Sequence, residues 1–196
     1  MYNERSEHGK NVKVLKAITY RPPPKAPEVQ RPLSIRLMRV NYAGEVAAQG
    51  LYLGALCFAK EQYLQQFCRH AADEEFAHLE WCGQRVSSLG GDVSVFNPLF
   101  FAGAFVLGGV SSLCGAEYAL GFVEETEKQV LKHLRKHEQR LPMDDRTSRK
   151  IIAQMIEDEA EHGNEASMLG AAPLPKPIKD IMSAMGHVLT SLSYWR

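Results

Sequence analysis

Two E-x-x-H tetrads, Glu75-Phe76-Ala77-His78 and Glu159-Ala160-Glu161-His162, fall on rows of this sequence that are otherwise apolar at helical spacing. Residues three and four apart share a helix face, so each tetrad stacks a carboxylate and an imidazole one turn apart. The first row is Leu64, Phe67, Ala71, Glu75, His78 and Cys82, and the second is Ile152, Met155, Glu159, His162, Ala166 and Leu169. Two more rows carry one acid each: Met38, Glu45, Ala48, Tyr52 and Ala55, and Ala116, Leu120, Val123, Glu127, Val130 and Leu134. Glu45 precedes Glu75 by thirty residues and Glu127 precedes Glu159 by thirty-two. The chain thus reads as two similar halves, each a helix with one seam glutamate followed by a helix with E-x-x-H.

An unpaired buried carboxylate costs several kcal/mol, and four would exceed the ~5–15 kcal/mol stability of a domain this size. Two divalent cations would cancel the four carboxylates and leave two neutral imidazoles as nitrogen donors. Oxygen-rich sites with one imidazole per metal suit iron or manganese. The candidate ligands are therefore Glu45, Glu75, His78, Glu127, Glu159 and His162, the pattern of ferritin-like dinuclear carboxylate bundles. Among the three acids at 124–127, Glu127 keeps the register of Leu120, Val123, Val130 and Leu134. At 100° per residue, Glu124 sits at the edge of that face and Glu125 points outward.

The surrounding pattern predicts an all-α fold, a ferritin-like four-helix bundle with additional short helices. Helices are expected over about 34–59, 62–89, 116–140 and 147–169, with Asp144 or Asp145 capping the last of these. A short helix is expected over 178–193, its apolar face formed by Ile181, Met182, Met185, Val188 and Leu189. Residues 1–32, with five prolines, read as an amino-terminal arm, and 33–196 as the ferritin-like domain.

Twenty-three Lys plus Arg balance twenty-three Asp plus Glu, so no basic field exists to hold nucleic acid. The four cysteines form no C-x-x-C pair and read as reduced thiols. No apolar run follows the charged first ten residues, so a secretory signal is not expected. Residues 98–116 carry no charge and approach membrane-spanning length. Gly103, Gly108, Gly109 and Gly115 weaken a single helix there, which favours a buried or interfacial hairpin opened by an Asn97 cap. The stretch from Phe100 to Val110 is expected to meet the membrane surface without spanning, with Phe101 and Phe105 on the contact face.

The remaining histidines, His8, His70, His133, His137 and His187, read as surface or hydrogen-bonded residues. Tyr42, Tyr52 and Trp81 read as packing. Glu74 and Asp158 each precede a tetrad glutamate and are candidates to accept the free ring N–H of the histidine from the opposite half.

The segments MRVNYAGEVAAQGLY (38–52), EEFAHLEWC (74–82), NPLFFAGAF (97–105), GFVEETEKQV (121–130) and DEAEHGNEA (158–166) together resemble the demethoxyubiquinone hydroxylase family. The resemblance covers about 33–196 and carries over the same six residues, Glu45, Glu75, His78, Glu127, Glu159 and His162. It implies a di-iron monooxygenase, an oxidoreductase that adds a ring hydroxyl to a polyprenyl methoxy-methyl-benzoquinol in ubiquinone biosynthesis. The implied co-substrates are O2 and an external electron donor, NADH being the candidate. Glu75 and Glu159 would bridge two irons, with Glu45 and His78 on one and Glu127 and His162 on the other. A peripheral position on the cytoplasmic side of the cell membrane follows from the lipid substrate. Candidate partners are that membrane surface, other ubiquinone-biosynthesis proteins and a second copy of the chain. An iron-storage protein of the ferritin type would share the ligands but would not need the apolar 98–116 segment.

Overall fold

The computed structural model describes residues 32–195, and among these there are six helices and no strand. They are α1 (Pro32–Phe58), α2 (Gln62–Ser88), α3 (Asn97–Cys114), α4 (Ala116–Arg140), α5 (Arg146–Met168) and α6 (Lys176–Trp195). Helices α1, α2, α4 and α5 form the bundle: short connections make α1/α2 and α4/α5 into hairpins, and α1 faces α4 while α2 faces α5. The apolar rows read from the sequence turn inward together and form one core, with Leu37, Met38, Leu64, Leu79, Leu120, Ile152 and Met155 fully buried. Pro32 opens α1 at a first-turn position that suits proline; the rest of the amino-terminal arm, residues 1–31, lies outside the described residues.

Local signals explain where the helices stop. Asp145 caps α5, its Oδ1 accepting from the Ser148 N–H at 3.1 Å, and Arg85 Nη2 of α2 donates to the same oxygen at 2.7 Å. One buried ion pair therefore ties the start of α5 to α2. Gly170, with φ +99°, follows the end of α5 in the left-handed region where an L side chain is strained.

Three expectations change. The 97–114 stretch is one continuous helix, not a hairpin, and it lies along α1. Gly108, together with Gly50 and Gly54 on α1, removes side chains where the two backbones meet. A Cβ at Gly108 would collide with the Leu51 carbonyl oxygen, one at Gly54 with that of Phe105, and one at Gly50 with that of Phe101. Close approach of two helices recovers more packing than glycine loses in propensity. The same crossing turns Phe101 and Phe105 toward α1: Phe101 is buried, Phe105 half-buried, and their rings stack at 6.2 Å. The large apolar residues of α3 that are exposed are instead Leu99, Val106, Val110 and Leu113. Finally, the two additional helices are the shortest of the described six, as expected, at 18 residues for α3 and 20 for α6, but α6 runs beyond its expected bounds. Helix α6 starts two residues early because Pro177 serves as a first-turn proline rather than a breaker. Its apolar residues Ile181, Met185 and Val188 are exposed, while its end is fastened by Arg36, whose guanidinium lies 4.5 Å from the Trp195 ring centre and 5.3 Å from that of Tyr194.

His137 is buried on α4, its Nδ1–H donating to Asn41 Oδ1 of α1 at 2.6 Å, and the His133 ring packs against it at 3.9 Å. Burial, then Lys136, Arg140 and His187, lowers His133 to about 4, and burial, then His133 and Arg140, lowers His137 to about 2. Both rings are held neutral, so below the unfolded value near 6.5 the unfolded chain binds more protons. The stability they contribute is complete above pH 6.5 and is lost as pH falls toward 4 and below. Denaturant melts of wild type and His133→Gln from pH 7 to 4 should show the wild type losing on the order of 2 kcal/mol more than the variant. Parallel curves would mean that the ring is not held neutral.

Candidate metal centre

The six expected residues converge in the middle of the bundle from four helical seams, each at most 3% exposed. Two overlapping groups form. Ligand atoms of Glu45, Glu75, His78 and Glu159 lie within 4.8 Å of one another, as do those of Glu75, Glu127, Glu159 and His162. Glu75 and Glu159 belong to both groups, so the two E-x-x-H helices supply a shared pair of carboxylates and one imidazole to each side.

The imidazoles are oriented consistently. His78 Nδ1 faces inward, 3.2 Å from Glu159 Oε1, 3.4 Å from Glu75 Oε2 and 3.7 Å from Glu45 Oε2. His162 Nδ1 faces inward at 3.3 Å from both Glu75 Oε1 and Glu159 Oε2. Each outer nitrogen donates across the bundle to an acid of the other half: His78 Nε2–H to Asp158 Oδ2 at 2.9 Å, and His162 Nε2–H to Glu74 Oε2 at 2.8 Å. Such bonds hold the proton on Nε2 and direct the Nδ1 lone pair at a metal. The reciprocal geometry follows from sequence, because Glu74 and Asp158 each stand one residue before a shared glutamate, on the flank that meets the opposite E-x-x-H helix.

Electrostatics explain why the cluster suits cations. Burial, reinforced by Glu75, pushes the Glu45 carboxyl well above the usual carboxylate range, and burial with Glu159 and Glu75 does the same to Glu127. Burial also opposes ionisation of Glu75, but the His162 and His78 rings outweigh it and lower that carboxyl. Burial would lower His162, yet Glu159 and Glu75 raise it to about 12, and His78 rises for the same reason. In the protein alone, protons do what two divalent cations would do. Glu75 Oε1 is fully buried and takes no hydrogen bond, which a metal bond would remedy. The donor set of carboxylates with one imidazole per side fits a pair of hard to borderline divalent ions.

Tyr52 does more than pack; it is part of the site. The Tyr52 hydroxyl donates to Glu127 Oε1 at 2.9 Å, fixing that carboxylate from α1, and its ring stands edge-on to His162 at 6.1 Å. Tyr52 lies on the Glu45 seam, seven residues on, where the sequence alone does not separate a hydrogen-bonding hydroxyl from packing. Trp81 covers the other side, its ring centre 5.2 Å from that of His78. Glu125 faces away from the bundle as expected, but α6 rather than solvent meets it. Its carboxylate takes Gln129 Nε2 at 2.9 Å and lies 3.2 Å from Lys179 Nζ, because α6 crosses that face of α4. Cys82 stands one turn beyond His78 on the same seam, its thiol 3.7 Å from the Met155 sulfur; all four cysteines are free thiols.

Residues 33–193 match the family described as Ubiquinone biosynthesis protein COQ7. The chain is 44% identical over 174 residues to the 3-demethoxyubiquinol 3-hydroxylase of Bordetella petrii, covering 89% of this chain and 77% of that protein. It is 45% identical over 170 residues to the enzyme of the same name from Francisella tularensis subsp. novicida, covering 87% and 81%. The namesake from Francisella philomiragia is 46% identical over 158 residues, covering 81% and 75%. With the match running through all four bundle helices and the acids and imidazoles they bring together, this chain belongs to the COQ7 family of ubiquinone-biosynthesis proteins.

Proposed function

We propose that this protein is a 3-demethoxyubiquinol hydroxylase, a monooxygenase that adds one hydroxyl to the ring of a polyprenyl methoxy-methyl-benzoquinol. The observation that carries this reading is the pair of overlapping ligand groups sharing Glu75 and Glu159, in a chain about 45% identical to enzymes of that name. Two irons would be held by Glu45, Glu75, His78, Glu127, Glu159 and His162. When bound, the iron pair supplies the redox chemistry that lets dioxygen react with the quinol. One oxygen atom enters the ring and the other leaves as water, so each turnover takes two electrons from an external donor, NADH being the candidate, and two protons, one from that donor and one from solvent. The protein's own contribution is to fix the carboxylates and imidazoles through Tyr52, Glu74 and Asp158 and to pack Leu, Ile and Met side chains around the cluster.

A polyprenyl substrate resides in a bilayer, and α3 is long and apolar enough to cross one. Its other face is seated on α1 through the glycine contacts, so the reading is peripheral attachment through Leu99, Val106, Val110 and Leu113, on the cytoplasmic side of the cell membrane. Val106→Glu with Val110→Glu should shift the protein from vesicle-bound to free in flotation assays while iron content holds. Undiminished flotation would remove α3 from the interface.

The activity itself is tested with iron-loaded protein, a reductant, a short-chain demethoxyubiquinol and 18O2. One labelled oxygen should appear in the hydroxylated product. Iron-core growth without labelled product would make the protein a ferroxidase instead.

A further inference from the structure

Between α4 and α5 a cleft of about 150 Å3 runs from the surface to Glu127. Its α4 wall carries Glu124, Glu127 and Lys128, and its α5 wall Ala160, Gly163 and Asn164. Gly163 is unexpected in the middle of α5, where glycine weakens a helix. A Cβ there would sit 3.4 Å from the Glu127 Cβ, already in contact, and any larger side chain would fill the cleft. The glycine thus keeps a way open directly beside the centre. The volume corresponds to roughly five water molecules at about 30 Å3 each, far too little for a polyprenyl chain.

The chemistry of the cleft is that of a cation path. On α5 it adjoins a shallow depression lined by Glu157, Glu161 and Glu165, which shares Ala160 and Asn164 with it. Glu161, although inside the second tetrad, therefore faces outward. From that acidic rim inward, Glu124 and Glu127 stand one helical turn apart, the first partly exposed and the second buried. Lys128 Nζ pairs with Glu124 Oε1 at 3.0 Å and is itself largely in solvent.

We propose that this cleft is the route by which divalent cations pass from water to the dinuclear centre. The acidic rim concentrates them, Glu124 exchanges its Lys128 partner for the arriving ion, and Glu127 takes it into the bundle. The inference rests on the six residues above forming a metal centre, and it adds a solvent-side path separate from the apolar α3 face.

Uptake of Co2+ by the metal-free full-length protein, followed by its visible absorption in stopped flow, tests the route. Gly163→Val and, one turn away on the same wall, Ala160→Leu should each slow uptake about tenfold or more, because a close-packed interior passes an ion only through a retained void. Both should reach the wild-type stoichiometry at equilibrium. Glu161→Gln with Glu165→Gln should slow uptake and flatten its dependence on salt, as loss of electrostatic focusing requires. Wild-type rates with full stoichiometry in both cleft variants would overturn the route and leave the metal centre standing. A wild-type protein that binds no Co2+ would overturn both. If Gly163→Val fails to fold, Ala160→Leu and the glutamine pair decide the question alone.

Discussion

Glu75→Ala should strip the protein of nearly all its iron, from about two atoms per chain to well below one, and abolish hydroxylation. Glu75 contributes to both ligand groups and is completely buried. Its removal leaves each side one carboxylate short and upsets the charge balance for both ions at once. Glu159→Ala should behave alike. Glu45 and Glu127 each serve one group, so their alanine variants should lose one site preferentially and retain about one atom per chain. Glu125→Ala should keep full iron, since its carboxylate faces Lys179 and Gln129, and should lose only a little stability. Metal analysis and oxygen consumption of the five variants, prepared side by side, check this ranking. Equal metal loss in Glu45→Ala and Glu75→Ala would refute the shared role of Glu75.

Gly108→Ala should destabilise the fold by about 3 kcal/mol or prevent folding altogether, although alanine is the better helix former. The added methyl would meet the Leu51 carbonyl oxygen of α1, which cannot move without disturbing the α1 backbone six residues after Glu45. Gly103, five residues earlier in the same helix, has nothing within 4 Å of an added Cβ. Gly103→Ala should therefore stabilise by roughly 0.5–1 kcal/mol. Urea denaturation of the two variants separates packing from propensity with the same chemical change. Stabilisation by both substitutions would mean that α1 and α3 are not in backbone contact.

The buried acids and imidazoles of the candidate centre stand out in the sequence because burial is periodic. A carboxylate on an apolar row has no inexpensive alternative to a positive partner, so Glu45, Glu75, Glu127 and Glu159 are conspicuous wherever the rows are written out. The acidic neighbours Glu74 and Asp158 were legible in the same way, because an inward histidine needs an acceptor for its outer nitrogen and one residue of helical offset supplies it from the opposite half. The hydroxyl of Tyr52 was not distinguished from packing, since a seam tyrosine looks the same in sequence whether or not an acid stands across the bundle.

The glycines carried the opposite lesson. Gly108 and Gly109 suggested a break in the 98–116 stretch, whereas α3 runs through them unbroken. Propensity is a property of one helix, and the need for glycine arose only when α3 met Gly50 and Gly54 of α1. Gly163 belongs to the same class, its reason lying in the Glu127 side chain of a neighbouring helix. Spacing along one chain is enough to place the four bundle helices, the rows that face inward and the acids and imidazoles on them. The tertiary structure alone decided which backbones touch, that Tyr52 bonds Glu127, and which apolar faces stay in solvent, because those depend on distances between segments that spacing does not encode.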